Sequence, residues 1–522
     1  MGQDTSKPRI GALLTIATSV LVSAAFLGGQ ASARDGDALA VGVQALPDSL
    51  EPMREWSNVG IRTIPSVAET LIAIDYANDH RLVPGLAESW QRIDGTTLEF
   101  VLREGVTCHN GEALTAEDVA FTFGPERFSG EDAPGRAIGS VFLSNIEPPE
   151  VIDAYRVRIS SKVPDPLLEH RMANYMGEII CKDAYEAAGS WDEWSRAIVG
   201  TGPYQVSAFQ PGDFIRLERF DGYWGETPPA SSVTFREVPE VATRIAGLFS
   251  GEFDIVTNIP VDNHGEFDGR AGVEVVGGGI NNILLLLYDT VDTPLSDPRI
   301  RQAMNLAIDR ELIVETLFQG RTEVPPGMQM REFGDMYLDD WPKPAYDPER
   351  ARQLLAEAGY DGTPINYKMV SASFYPQELN VTRAIVDMWE DVGLNVDLML
   401  VENWSQVTEN VDNRMVVNGS ATAVYPDPVS QLWRKYGPTD RTQKDDWWTN
   451  AQFNELGGLL QASTDLEERR ETFRKMLGIA EQDPPGTVLH VFPSFYGKRA
   501  DLDWTPYSVH FMDFGAGNLR LD

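Results

Sequence analysis

Alternation of apolar and polar positions marks several strands along the chain. LAVGVQAL (39–46), LEFVL (98–102), YRVRIS (155–160), FIRLERF (214–220) and VTFREV (233–238) all read as extended segments bounded by turn residues. Between the first two, TIPSVAETLIAI (63–74) predicts a helix. The run CHNGEALTAEDVAFTF predicts a turn at Asn110-Gly111 and then a helix capped by Thr115, with Asp118 at its third position. TRIAGLFSG is a helix leading into the short strand FDIV.

A change of period follows the long apolar strand NNILLLLYD. Ser296-Asp297-Pro298 begins the helix RIRQAMNLAID, and Asp347-Pro348 begins PERARQLLAEAGY in the same manner. VTRAIVDMWEDVG is a third helix, before the strand LNVDLMLV. Helices and strands alternate through 286–420, which predicts an α/β layer with a mainly parallel sheet there. The strand RMVVNGSAT then runs out into small neutral residues, with no charged side chain between Arg414 and Asp427. Asp427 is positioned to cap DPVSQLWRKYG.

The length, 522 residues, exceeds what one core supports, and the 42% hydrophobic and 23% charged composition is that of a globular protein. Residues 1–33 differ: Lys7 and Arg9 precede IGALLTIATSVLVSAAFLGG, which ends in Ala31-Ser32-Ala33. That order predicts a secretory signal peptide cleaved after Ala33, the alternative being a membrane anchor. No cysteine follows it, so the expected product is an exported, unlipidated protein in the periplasm. A formal charge of −36 makes nucleic acid and anionic membrane poor partners. Cys108 and Cys181 stand outside any metal spacing. An oxidising compartment permits a disulfide between them, and the sequence alone does not show that they meet.

Catalytic motifs are missing. HExxH, GxSxG, GxxxxGK[ST] and GxGxxG do not occur, and no two of the six histidines stand at helical metal-ligand spacing. No catalytic residue, metal or cofactor is therefore expected. Abundant carboxylates leave an exported hydrolase with a carboxylate pair as a distant alternative. Asn380, Asn403 and Asn418 match the glycosylation acceptor pattern by coincidence of composition.

Four blocks, in order, carry a resemblance. LVPGLAESWQRIDGTTLEFVLREGVTCHNGEALTAEDVAFTF, GTGPYQVSAFQPGDFIRLERFDGYWG, SDPRIRQAMNLAIDRELIVETLFQG and YDPERARQLLAEAGY resemble the family 5 extracellular solute-binding proteins, the peptide, opine and nickel receptors of bacterial ABC importers. The resemblance implies an α/β, two-lobed periplasmic binding protein of type II, with an extra subdomain on lobe I and a hinge. Carried over, lobe I is 34–75, 199–285 and 481–522, its subdomain is 76–198, and lobe II is 286–480. It also implies a monomer that serves ABC permease subunits with their ATPases.

For the ligand, the resemblance implies a peptide, opine or oligosaccharide. The aspartate that holds a peptide's α-ammonium in relatives falls on Val424, and an arginine that faces the carboxylate falls on Asn418. Trp404, Trp56, Asn58, Asn258 and Tyr375 fall on positions bordering the cleft, with Ser420 and Thr422 on the neutral lip. Amides, hydroxyls and indoles suit a hydroxyl-rich or blocked solute better than a free dipeptide, because a buried ammonium needs a counter-charge or several hydrogen bonds. A nickel or haem receptor is a further option, and His490 and His510 lack local partners for it.

Overall fold

The computed structural model describes residues 36–522, except Trp56, Asp79, 129–131, 137–138, Ser144, 372–374, Pro376, 409–415 and Asp522. The expected signal peptide, residues 1–33, lies outside the described residues.

Ten strands make the main sheet: β1 (Ala38–Val43), β2 (Tyr204–Gln210), β3 (Phe214–Arg219), β4 (Ser232–Glu237), β5 (Ile255–Val256), β6 (Val273–Tyr288), β7 (Ile365–Val370), β8 (Val396–Val401), β9 (Val416–Thr422) and β10 (Gly486–Arg499). Their spatial order is β8-β7-β9-β6-β10-β5-β1-β4-β3-β2. The chain thus leaves one end of the sheet along β6 and returns along β10, and these two strands carry both lobes.

At 16 residues, β6 extends for roughly 50 Å. It runs antiparallel to β10 from Val273 opposite Arg499 to Leu287 opposite Gly486, with breaks in register between Gly279 and Ile283 and between Leu284 and Leu285. Within the first break the backbone of Asn281 bonds outside the pair: its N–H donates to the Ser508 carbonyl (2.8 Å), and its carbonyl accepts from Ala423 N–H (2.8 Å). Gly277, at φ +115°, admits no side chain, because a Cβ there would stand 2.2 Å from the Ser494 carbonyl oxygen.

Period two assigns the apolar end of β6 to two cores. Leu286 and Tyr288 join the cluster containing Ile300, Tyr367 and Trp389. Ile283, Leu285 and Leu287 join the cluster of Tyr425, Trp447 and Trp448 on the other face. This is why NNILLLLY reads as a continuous apolar run. A third core lies around β1, β4 and the strands Thr97–Leu102 and Arg156–Ser160, and includes Trp191, Trp194 and Trp504.

In the region expected to be mainly parallel, β7 pairs parallel with both β8 and β9, while β6 is antiparallel to β9. The helices Pro298–Leu306, Arg310–Phe318 and Pro348–Ala358 begin at Asp297, Asp309 and Asp347, each accepting from a first-turn N–H. The expected capping box is present, Thr115 and Asp118 closing the start of Ala116–Thr122.

The helix expected over 63–74 does not form. Gly60–Arg62 and Ile64–Ser66 are single 3-10 turns, and Ile72–Asp75 is a strand paired with Arg81–Pro84. Leu71-Ile72-Ala73-Ile74 fits either state locally, and the strand partner decides it. Nearby, an antiparallel four-stranded sheet is ordered Ala87–Arg92, Thr97–Leu102, Arg156–Ser160, Glu150–Asp153. Cys108 and Cys181 do meet: they form a fully buried disulfide with a Cα separation of 6.4 Å.

Candidate functional site

A cavity of about 630 Å³ opens beside the register break in β6, walled by segments from both ends of the sheet. Asn58, Tyr76 and Tyr175 contribute from the N-terminal side. Tyr375, with Ser420, Thr422 and Val424 at the end of β9, contributes from the other, and Asn281 lies between. The volume suits a small solute of several heavy-atom groups.

Each wall is held by its own chemistry. The Tyr375 hydroxyl lies 2.8 Å from Ser420 Oγ, and its ring meets Phe492 edge to face at 5.5 Å. Burial pushes the Tyr375 phenol up, while the Ser420 hydroxyl and, less strongly, the Asn58 amide act in the opposite direction. Tyr375 and Asn58 therefore stand close to one another on the cavity wall. Val424 is half-buried and packs against two of the cores, so it sits on the seam between them.

Three charged side chains also line the cavity: Arg434, Lys435 and Asp440. Arg434 donates to the carbonyls of Ser430 (2.8 Å) and Thr422 (3.0 Å), which ties the helix to the end of β9. Asp440 accepts from Thr442 N–H (3.0 Å) and Oγ1 (2.9 Å) at the start of Arg441–Lys444. Burial lowers the Lys435 pKa and Asp440 opposes this. Asp427 caps the following turn through Val429 N–H (2.9 Å) and forms a buried ion pair with Arg469 (2.9 Å).

Of the residues expected at the site, Asn58, Tyr375, Ser420, Thr422 and Val424 line this cavity. Asn258 does not line it. Its φ is +55°, and its buried Oδ1 accepts from Arg62 at 2.5 Å. Asn418 does not line it either, for its buried amide is directed at Thr382 Oγ1 (3.4 Å) on the helix Glu378–Asp391. Trp56 lies outside the described residues, as does the side chain of Trp404, which begins the helix Trp404–Thr408. Asn281, Arg434, Lys435 and Asp440 were not anticipated. The adjacent amides Asn281-Asn282 interrupting an apolar strand were a signal for the first.

A second cavity of about 340 Å³ shares Ile61, Tyr76 and Tyr175 with the first. Burial pushes Glu69 up to about 7, against hydrogen bonds from Trp224, Thr201 and Tyr223, and pushes Glu178 up to about 8. Asp513 is raised by burial as well. Among the described residues, the metal-type group Cys108, Glu112 and Cys181 is accounted for by the disulfide.

Two lobes on paired through-strands, with a solute-sized cavity at the crossing, define the two-lobed periplasmic binding-protein fold. The chain belongs to the bacterial extracellular solute-binding proteins, family 5, whose model matches residues 81–443. It is 28% identical over 338 residues to the dipeptide-binding protein of Escherichia coli K12, covering 60% of this chain and 62% of that relative. The chain thus matches less than two thirds of that relative's length. Among solved structures, the ABC transporter-associated periplasmic binding protein DppA of Helicobacter pylori, in complex with the peptide STSA, superposes with a TM-score of 0.80 at 20% identity. That match covers 91% of this chain and 96% of that one. AgaA of A. tumefaciens R10, in complex with agropinic acid, superposes with a TM-score of 0.77 at 21% identity, covering 93% and 99%. No helix among the described residues is long and apolar enough to cross a membrane.

Proposed function

We propose that this protein is the periplasmic receptor of an ABC importer, capturing a peptide-like or related small solute and presenting it to permease subunits without chemistry of its own. The observation that carries the reading is the 630 Å³ cavity walled from both ends of the sheet beside the break in β6. Lobe I is taken as 34–75, 199–285 and 481–522, its subdomain as 76–198 and lobe II as 286–480, with β6 and β10 as the strands that pass between the lobes. Closure then shifts an open–closed equilibrium by the solute's differential affinity for the closed form.

A second reading within the family is an opine or sugar conjugate. It is favoured by Val424, a neutral side chain on the cavity wall where a cationic group would require an acid. Native mass spectrometry of protein purified without refolding tests the receptor reading through retained solute. Small-angle scattering should show compaction at saturation, and turnover assays should show binding without product. An unchanged radius of gyration with catalytic product formation would refute it.

A further inference from the structure

Lys435 is half-buried on the cavity wall, and its ammonium makes no hydrogen bond and no ion pair within 4.0 Å to any described residue. The carboxylate that shares its wall, Asp440, is engaged by Thr442. On the hinge strand, Asn281 is 5% exposed, lines the same cavity, and its Oδ1 has no hydrogen-bond partner among the described residues. A buried carbonyl oxygen without a donor is unfavourable until something supplies the missing partner, and an ammonium on the same wall with no bonded anion is open to receive one. We propose that Lys435 receives an acidic group of the solute, and that the solute is an anion with an N–H or O–H donor for Asn281. This rests on the receptor reading above and narrows its solute class.

The protein's formal charge of −36 makes this local sign informative. Long-range repulsion of anions is offset inside a water-poor cleft, where a nearby cation outweighs distant, screened charges. A neutral hydroxyl could accept from Lys435 but would bring it no charge, leaving only Asp440, which forms no ion pair with it, as counter-charge. A free ammonium near Lys435 and Arg434 would meet two like charges against the one carboxylate of Asp440.

The test is calorimetric titration with two matched pairs, N-acetyl-Ala-Ala and its C-terminal amide, and gluconate and glucose. The proteins are wild type, Lys435→Gln and Lys435→Arg, with native mass spectrometry of any co-purified solute. In at least one pair the acid should bind at least tenfold tighter than its neutral twin. Lys435→Gln should cut acid binding about ten- to hundredfold while leaving the neutral twin unchanged, and Lys435→Arg should keep the preference. Because the Lys435 ammonium bonds to no described residue, the melting temperature should hold. A preference for neutral twins, a neutral co-purified solute, or an acid preference that survives Lys435→Gln overturns the subsite and leaves the receptor intact. No binding by any probe and no retained solute overturns the receptor reading, and the subsite with it.

Discussion

Replacing Val424 with aspartate places a carboxylate on the neutral wall. A cavity of about 630 Å³ has the volume of a sphere about 10 Å across, so the new charge stands within about 10 Å of a charged group of a bound solute. At an effective dielectric near 20, two unit charges at that distance interact by about 1.7 kcal/mol, or roughly ten- to twentyfold in affinity. Loss of the valine methyls from the seam between two cores subtracts about 1 kcal/mol from the closed form for every ligand. Calorimetric titration with N-acetyl-Ala-Ala, Ala-Ala and Ala-Ala-amide separates the two effects. The anionic probe should weaken most, and the cationic amide should gain roughly a hundredfold or more relative to it, since the two terms have opposite sign. Part of the new charge will be absorbed by Lys435, which makes the loss for anions larger, since the same ammonium is withdrawn from them. Equal changes for all three probes would mean that Val424 does not face the bound solute. Tight binding of Ala-Ala by the wild type, lost on N-acetylation, would show that another acid holds the ammonium.

Three further outcomes follow from groups away from that wall. Glu178 and Glu69 have folded pKa values raised to about 8 and about 7, so the stability tied to their neutral forms is fully present below about pH 4.5 and is lost as pH rises towards 8. Melting temperature should fall between pH 5 and 9, by an amount worth a few kcal/mol, and Glu178→Gln should flatten the profile. Reduction of Cys108–Cys181, which closes a loop across a sequence separation of 73, should cost about 4 kcal/mol in urea unfolding, and Cys108→Ala/Cys181→Ala should reproduce it. Arg469→Met leaves the buried Asp427 without its ion-pair partner and should destabilise by about 3–5 kcal/mol, whereas the double change with Asp427→Asn should recover much of that loss.

Local order was legible where one residue's chemistry decides it. Asp297 and Asp347 cap because a short carboxylate before proline or a first helical turn satisfies free N–H groups without help from elsewhere. The Asn110-Gly111 turn and the Thr115–Asp118 box follow from the same local rule. The segment 63–74 was misread because four apolar residues, Leu71 to Ile74, serve a helix or a strand equally, and pairing with Arg81–Pro84 is a contact that periodicity does not contain. Asn258 and Asn418 were placed at the cleft by the resemblance; that their side chains bond to Arg62 and Thr382 is a contact between segments apart in sequence, which no local pattern contains.

The chain by itself determined its alternating α/β character, the neutral lip at Ser420, Thr422 and Val424, and the family that four ordered blocks resemble, because these depend on neighbours along the sequence. Tertiary structure alone decided that β6 and β10 run as partners through both lobes, and that Cys108 meets Cys181. It also turned the neutral lip into one wall of a charged cavity, by bringing Arg434 and Lys435 on a helix to face Asn58 and Asn281 from elsewhere in the chain. Which cavity a side chain lines is a property of what packs around it: the charges near Lys435 are its sequence neighbours, whereas Asn58, Tyr175 and Asn281, which line the same cavity, come from segments far away along the chain.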